Sequence, residues 1–215
     1  MLDLILAPTC LGCGRLLVQP RVPEVCSRCR PDVVELEQPT VGQPPITAGY
    51  EYEGPLVEAL RRLKYRGGFG DAGPLGRALA PLLAEQLDAD GWDVVACVPT
   101  FWRRRAWRGY DHVALVLAHA WRRVPRGSRE NSTLAPGLLA RLRSTAPQVD
   151  LPARERIAAP RNTVAVSRPR LVAGRRVLVV DDVTTTGATL RACFDALHEA
   201  GARGVGGLAL LRAGK

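Results

Sequence analysis

The stretch Val177 to Leu190, Val-Leu-Val-Val-Asp-Asp-Val-Thr-Thr-Thr-Gly-Ala-Thr-Leu, limits the fold more than any other part of the chain. Val177 to Val180 are apolar on both faces, as a central strand of a parallel sheet is. Asp181 and Asp182 put two carboxylates at the C-terminal end of that strand. Thr184, Thr185, Thr186, Gly187, Ala188 and Thr189 then form a small, hydroxyl-rich turn that runs into a helical pattern. In open α/β sheets, ligands bind outside the carboxyl ends of the strands. Unpaired amides and the positive dipole end at a helix start suit a phosphate. Threonine hydroxyls add donors, and Gly187 lets the backbone approach the anion closely. The carboxylates are acceptors and suit vicinal hydroxyls instead. The two halves together read as a site for ribose 5-phosphate. An ordinary capped helix start needs only one such residue.

Length and charge set the frame. At 215 residues the chain can build one α/β domain and a small appendage. Its apolar content of 47% is enough for a core. A formal net charge of +9 favours anionic partners, phosphorylated metabolites or nucleic acid, without choosing between them. No apolar run is long enough to span a bilayer. Met1 to Pro8 lacks a basic start and is too short for a signal peptide, so the expected location is cytoplasmic. Thiols stay reduced there.

That compartment decides how the cysteines read. Cys10 and Cys13 form one Cys-x-x-Cys pair, and Cys26 and Cys29 a second. Two such knuckles can place four thiolates tetrahedrally around Zn²⁺. In a reducing compartment this outweighs two disulfides or four free thiols. Four thiolates leave no open position for water, so the metal is expected to be structural. It would also supply the folding free energy of so short a module. Cys97, in an apolar strand, and Cys193, on an apolar helix face, read as core residues. The expected organisation is a four-cysteine module over 1–30, a proline-rich linker over 31–47 and an α/β domain over 48–215.

Within the α/β domain, strands are expected at Ala48 to Tyr52, Val94 to Val98 and Val205 to Leu211. Helices are expected at Leu56 to Tyr65, Pro74 to Leu87 and Ala188 to Ala200, and after Gly109, where Val113, Val116, Leu117 and Ala120 make an apolar stripe. Alternation of strands and helices argues for a mostly parallel sheet with helices on both faces. The loop Pro99 to Tyr110 carries Arg103, Arg104, Arg105 and Arg108 among Phe101, Trp102, Trp107 and Tyr110. Such a loop can clamp pyrophosphate through forked contacts, or hold a nucleic-acid backbone with stacked bases. Its place on the same sheet edge as the aspartates favours pyrophosphate, with Arg104, Arg105 and Arg108 as the contacts. Lys64 either reaches a ligand phosphate or belongs to a solvated basic helix end; both readings stand. Val124 to Gly137 reads as a mobile loop. Thr145 to Val166 reads as a lid between two sheet strands, with possible strands at Leu138 to Arg143 and Arg161 to Val166. Neither His112 nor His119 is expected beside a carboxylate, and neither is a candidate general base.

Val177 to Leu190 resembles the PRPP-binding signature of type I phosphoribosyltransferases. Taken with Cys10 to Cys29, Leu63-Lys64-Tyr65, Val98-Pro99, Arg105 to Tyr110 and Gln148 to Arg161, the chain resembles the ComF family (ComFC or GntX type). The resemblance implies a type I phosphoribosyltransferase fold behind a zinc-ribbon-like module. It also implies PRPP with Mg²⁺ as ligand, and a link to DNA uptake in natural transformation. On that footing Asp181 and Asp182 orient the ribose, Thr184 to Thr189 hold the 5-phosphate, and the arginines counter the pyrophosphate. The implied activity is a glycosyltransferase reaction, transfer of ribose 5-phosphate to a nitrogen acceptor that no stretch identifies. The alternative is a non-catalytic binder that senses PRPP or contacts single-stranded DNA or DNA-processing proteins.

Overall fold

The computed structural model describes residues 8–18, 21–36, 40–41, 43–100, 109–141 and 164–214. Its centre is a sheet of β1 (Thr40–Val41), β2 (Ile46–Glu51), β3 (Val94–Cys97), β4 (Thr133–Leu134), β7 (Arg176–Thr184) and β8 (Gly204–Arg212). The spatial order is β1-β2-β8-β7-β3-β4. Every neighbouring pair is parallel except β1 on β2. The carboxyl ends of β2, β8, β7 and β3 therefore share one edge.

β7 lies between β8 and β3 because its side chains can be buried on both faces. Val177, Leu178, Val179 and Val180 are all wholly buried. The pleat divides them. Leu178 and Val180 join a cluster with α1 (Gly54–Tyr65), α2 (Ala72–Asp90) and α3 (His112–Arg123). Val177 and Val179 face α4 (Ala188–Glu199) and the hairpin of β5 (Leu139–Arg141) and β6 (Val164–Val166). Helix α2 runs through Pro81 without interruption. It crosses α3 closely at Gly76, where a Cβ would lie 2.4 Å from that of His119.

The expected helices and strands are present, with ends shifted by up to three residues. One expectation is corrected. Val124 to Gly137 is not simply a loop: it supplies β4, which pairs with β3, and Ser132 Oγ donates to the Trp92 carbonyl at 2.6 Å. Several described residues of 31–47 are hydrogen-bonded to β2. Leu36 N donates to the Gly49 carbonyl at 3.0 Å, and Glu51 N donates to that of Val34 at 2.9 Å. Together with β1, these bonds cover amides and carbonyls that β2 would otherwise expose at the sheet edge.

The cysteine module is built onto the main core. Leu11 and Val25 are buried in the α1–α2–α3 cluster. Arg62 of α1 donates to the Leu11 carbonyl at 2.6 Å, and Arg77 of α2 donates to the buried carboxylate of Glu24 at 2.6 Å. Among the described residues, no helix is long and apolar enough to cross a membrane.

Candidate functional site

Strand β7 extends two residues past the aspartates, so both lie within the sheet's hydrogen bonding rather than in the loop. Asp181 is paired with Ala209 of β8. The pleat sends the two carboxylates to opposite faces. Asp182 points to the α1–α3 face and Asp181 toward α4 and Cys193. Both are buried, at 9% and 8% exposed for Asp181 and Asp182.

Their environments differ. Asp182 Oδ2 receives Lys64 Nζ of α1 at 2.7 Å and His112 Nε2 of α3 at 2.6 Å. Burial disfavours its charge, but the hydrogen bond from His112 and the charge of Lys64 outweigh burial. They hold the carboxyl well below the usual carboxylate range. Among the described residues no cation contacts Asp181; its Oδ1 accepts the amide of Asp182 at 2.8 Å. Burial, and then the negative charge of Asp182, push its carboxyl up to about 8. The two adjacent carboxyls are thus pushed in opposite directions, Asp181 up and Asp182 down.

His112 corrects the sequence expectation, which placed no histidine beside a carboxylate. It is the first residue of α3, behind an N-cap in which the Asp111 side chain accepts from Ala114 N at 3.1 Å. Capping fixes the start of α3 and with it the direction of the imidazole. His112 and Asp182 are 70 positions apart, so only the packing of α3 on β7 brings them together. Lys64, one of the residues expected to meet a phosphate, lies beside the acidic pair. Arg104, Arg105 and Arg108 fall outside the described residues, as does most of the expected lid.

The turn after β7 bends at a glycine and starts a helix. Gly187 is the N-cap of α4, with φ of +75°. A Cβ there would lie 2.6 Å from Ile46 Cδ1. The backbone conformation favours glycine, and an added methyl would have to displace the end of Ile46. Thr185, Thr186 and Ala188 are exposed, whereas Thr184 is buried. Thr186 Oγ1 accepts the Ala188 amide at 3.4 Å, and the Thr186 carbonyl accepts Arg191 Nη2 at 2.8 Å. The turn borders a cavity of about 570 Å³. Ile46 and Ala48 give it an apolar wall, and Arg191 and Arg212 supply positive charge. Neither arginine was singled out in the sequence. Arg191 could have been found, since it sits one helical turn after the loop glycine. Arg212 could not, because only strand pairing brings β8 beside the loop.

The Sγ atoms of Cys10, Cys13, Cys26 and Cys29 lie within 4.8 Å of one another. Cys13 and Cys26 sulfurs are 3.7 Å apart. A tetrahedral site with metal–sulfur bonds of about 2.3 Å has sulfur–sulfur edges of about 3.8 Å. The four residues can therefore hold one metal ion. The Cys26 amide donates to Cys10 Sγ at 3.3 Å, a knuckle contact that supports a thiolate. Cys97 and Cys193 are buried in the core as expected.

Comparison with known proteins bears on part of the chain. Among curated proteins there is no match. Among solved structures, the chain is similar to the allosteric regulatory enzyme of purine biosynthesis, with 23% identity over 64% of this chain and 25% of that one, TM-score 0.39. It is similar to the glutamine phosphoribosylpyrophosphate amidotransferase of B. subtilis, with 21% identity over 70% of this chain and 30% of that one, TM-score 0.44. For a hypoxanthine phosphoribosyltransferase from Staphylococcus aureus the values are 14% identity, 67% of this chain and 64% of that one, TM-score 0.39. The chain spans a quarter to just under two thirds of the length of these three proteins. Residues 129–215, which contain both aspartates and the whole Thr-Gly turn, match the family model of the phosphoribosyl transferase domain.

Proposed function

We propose that the chain binds PRPP at the carboxyl end of β7 and transfers its ribose 5-phosphate to a nitrogen acceptor. The observation that carries this reading is the juxtaposition at that edge. A buried aspartate pair leads directly into a glycine-bent turn at a helix N-terminus, beside a cavity of about 570 Å³. The match of 129–215 to a phosphoribosyl transferase domain supports it.

In this reading the amides and hydroxyls of Thr184, Thr185, Thr186, Gly187, Ala188 and Thr189 hold the 5-phosphate. Asp181 and Asp182 meet the ribose hydroxyls from two sides. Anionic Asp182 accepts a hydrogen bond, and neutral Asp181 can donate as well as accept. The acceptor nitrogen forms a bond to the ribose anomeric carbon as the bond to pyrophosphate breaks. The electron pair of the broken bond leaves with pyrophosphate. Lys64, Arg104, Arg105 and Arg108 supply positive charge for that leaving group, and Mg²⁺ would accompany the diphosphate. The protein's share is orientation and preorganised charge. A structural Zn²⁺ belongs to the four cysteines, whose separations suit it.

Calorimetry with PRPP and Mg²⁺ tests the site. Binding is expected for the unmodified protein and lost in Asp181→Asn with Asp182→Asn. Equal PRPP affinity in that double variant would end the reading. A pyrophosphate-release screen over nitrogen acceptors then tests catalysis.

A second reading, contact with single-stranded DNA, draws on a different surface. Arg129 lies 5.6 Å over the Trp121 ring, beside a cavity of about 550 Å³ that Arg126 also lines. Cation and aromatic together suit a phosphate backbone with a stacked base. This surface would serve the DNA-uptake role that the ComF resemblance implies. Such binding should fall steeply with salt and survive the aspartate substitutions.

A further inference from the structure

Lys64 and His112 converge on the same oxygen of Asp182. Lys64 Nζ is 2.7 Å and His112 Nε2 2.6 Å from Oδ2. The two come from α1 and α3, so the carboxylate is held between two helices that pack on the same face of the sheet. His112 and Asp182 are both more than nine-tenths buried. Both described contacts sit on Oδ2, and Oδ1 carries no contact of this kind among the described residues. We propose that His112 is a positioning residue for the ribose. It fixes the rotation of the Asp182 carboxylate so that Oδ1 is presented to one ribose hydroxyl, while Lys64 fixes its charge. This rests on the assignment of β7 as the PRPP edge and goes beyond it, because nothing in the Thr-Gly turn requires a histidine on α3.

The physical argument is preorganisation. A carboxylate free to rotate must be ordered when the sugar binds, and that ordering opposes binding. A carboxylate already locked by two donors binds with less loss. Lys64 alone would not lock it, because an ammonium is a point charge on a flexible stem with rotatable donors. The rigid imidazole at the first position of α3 supplies the direction. His112 and Lys64 meet at one oxygen of Asp182.

Two substitutions separate orientation from packing. His112→Gln keeps a donor of similar reach, and His112→Phe keeps the ring volume but has no donor. PRPP affinity with Mg²⁺ is read by calorimetry, and folding of each variant by thermal unfolding. Loss of a hydrogen bond to a charged group weakens binding by about tenfold to a hundredfold. His112→Phe should show that loss, and His112→Gln should bind within a few-fold of the unmodified protein. In the unmodified protein the imidazole Nε2 proton, followed by NMR, should shift when PRPP is added. If His112→Phe binds normally, or if the imidazole signal ignores PRPP, the inference is overturned. The imidazole measurement needs no variant, so a misfolded substitution does not block the test. If Asp181→Asn with Asp182→Asn leaves PRPP binding intact, the site assignment itself has failed. If that variant loses binding while His112→Phe keeps it, only the role of His112 has failed.

Discussion

Gly187→Ala probes the anion turn in two separable ways. The native φ of +75° lies in the left-handed region, where a side chain costs about 1–2 kcal/mol. The added methyl would also stand 2.6 Å from Ile46 Cδ1, far inside ordinary contact, and Ile46 is buried. Overpacking of this kind costs about 1–3 kcal/mol. The substitution should therefore destabilise the fold by about 2–5 kcal/mol. Ile46→Val removes the clashing Cδ1 and by itself costs about 0.5–1.5 kcal/mol. Combined with Gly187→Ala, it should be less destabilising than the sum of the two single effects, by about 1 kcal/mol or more. The backbone part should remain in the double variant. Urea unfolding of the four proteins at one pH measures all three terms. Strict additivity would refute the contact, and an unchanged unfolding midpoint in Gly187→Ala would refute the strained turn as well.

Three further outcomes are expected. The Asp181 carboxyl is raised from 3.8 to about 8, so the folded state holds an extra proton between those values. Stability should then fall as pH climbs through that window, and Asp181→Asn should flatten the fall and gain a few kcal/mol above about pH 8; an identical pH profile in the variant would exclude the raised pKa. Lys64→Met leaves Asp182 buried without its lysine partner and should cost about 2–4 kcal/mol in urea unfolding, most of it recovered by adding Asp182→Asn. Metal analysis should find about one zinc per chain, and Cys13→Ser should lower both the zinc content and the thermal midpoint; a zinc-free protein with the same midpoint would contradict the metal site.

The central strand and its anion turn were legible in the sequence because their signal is local. Four apolar residues, two aspartates and a Thr-Gly run lie within fourteen consecutive positions. The four helices were legible for the same reason, since their apolar faces repeat over three turns or more. The environment of the aspartates was not. Nothing near Asp182 in the chain names Lys64 or His112 as partners; two separate helices deliver them. The pleat also separates the aspartates, which a reading of adjacent letters treats as one paired group. Strand β4 was missed because two residues, Thr133 and Leu134, are too short to show any period. The fastening of the proline-rich segment was missed because β2 itself creates the demand for it.

The brevity of the two outermost strands has a further consequence for how the molecule behaves at high concentration. Thr40–Val41 and Thr133–Leu134 each extend the ladder by two residues, while the strands inside them run to four, six and nine. Among the described residues, a foreign chain attempting to add itself sideways finds little straight backbone at either rim to template on. The long, oily interior strands are thereby kept from seeding lateral, amyloid-like stacking between molecules.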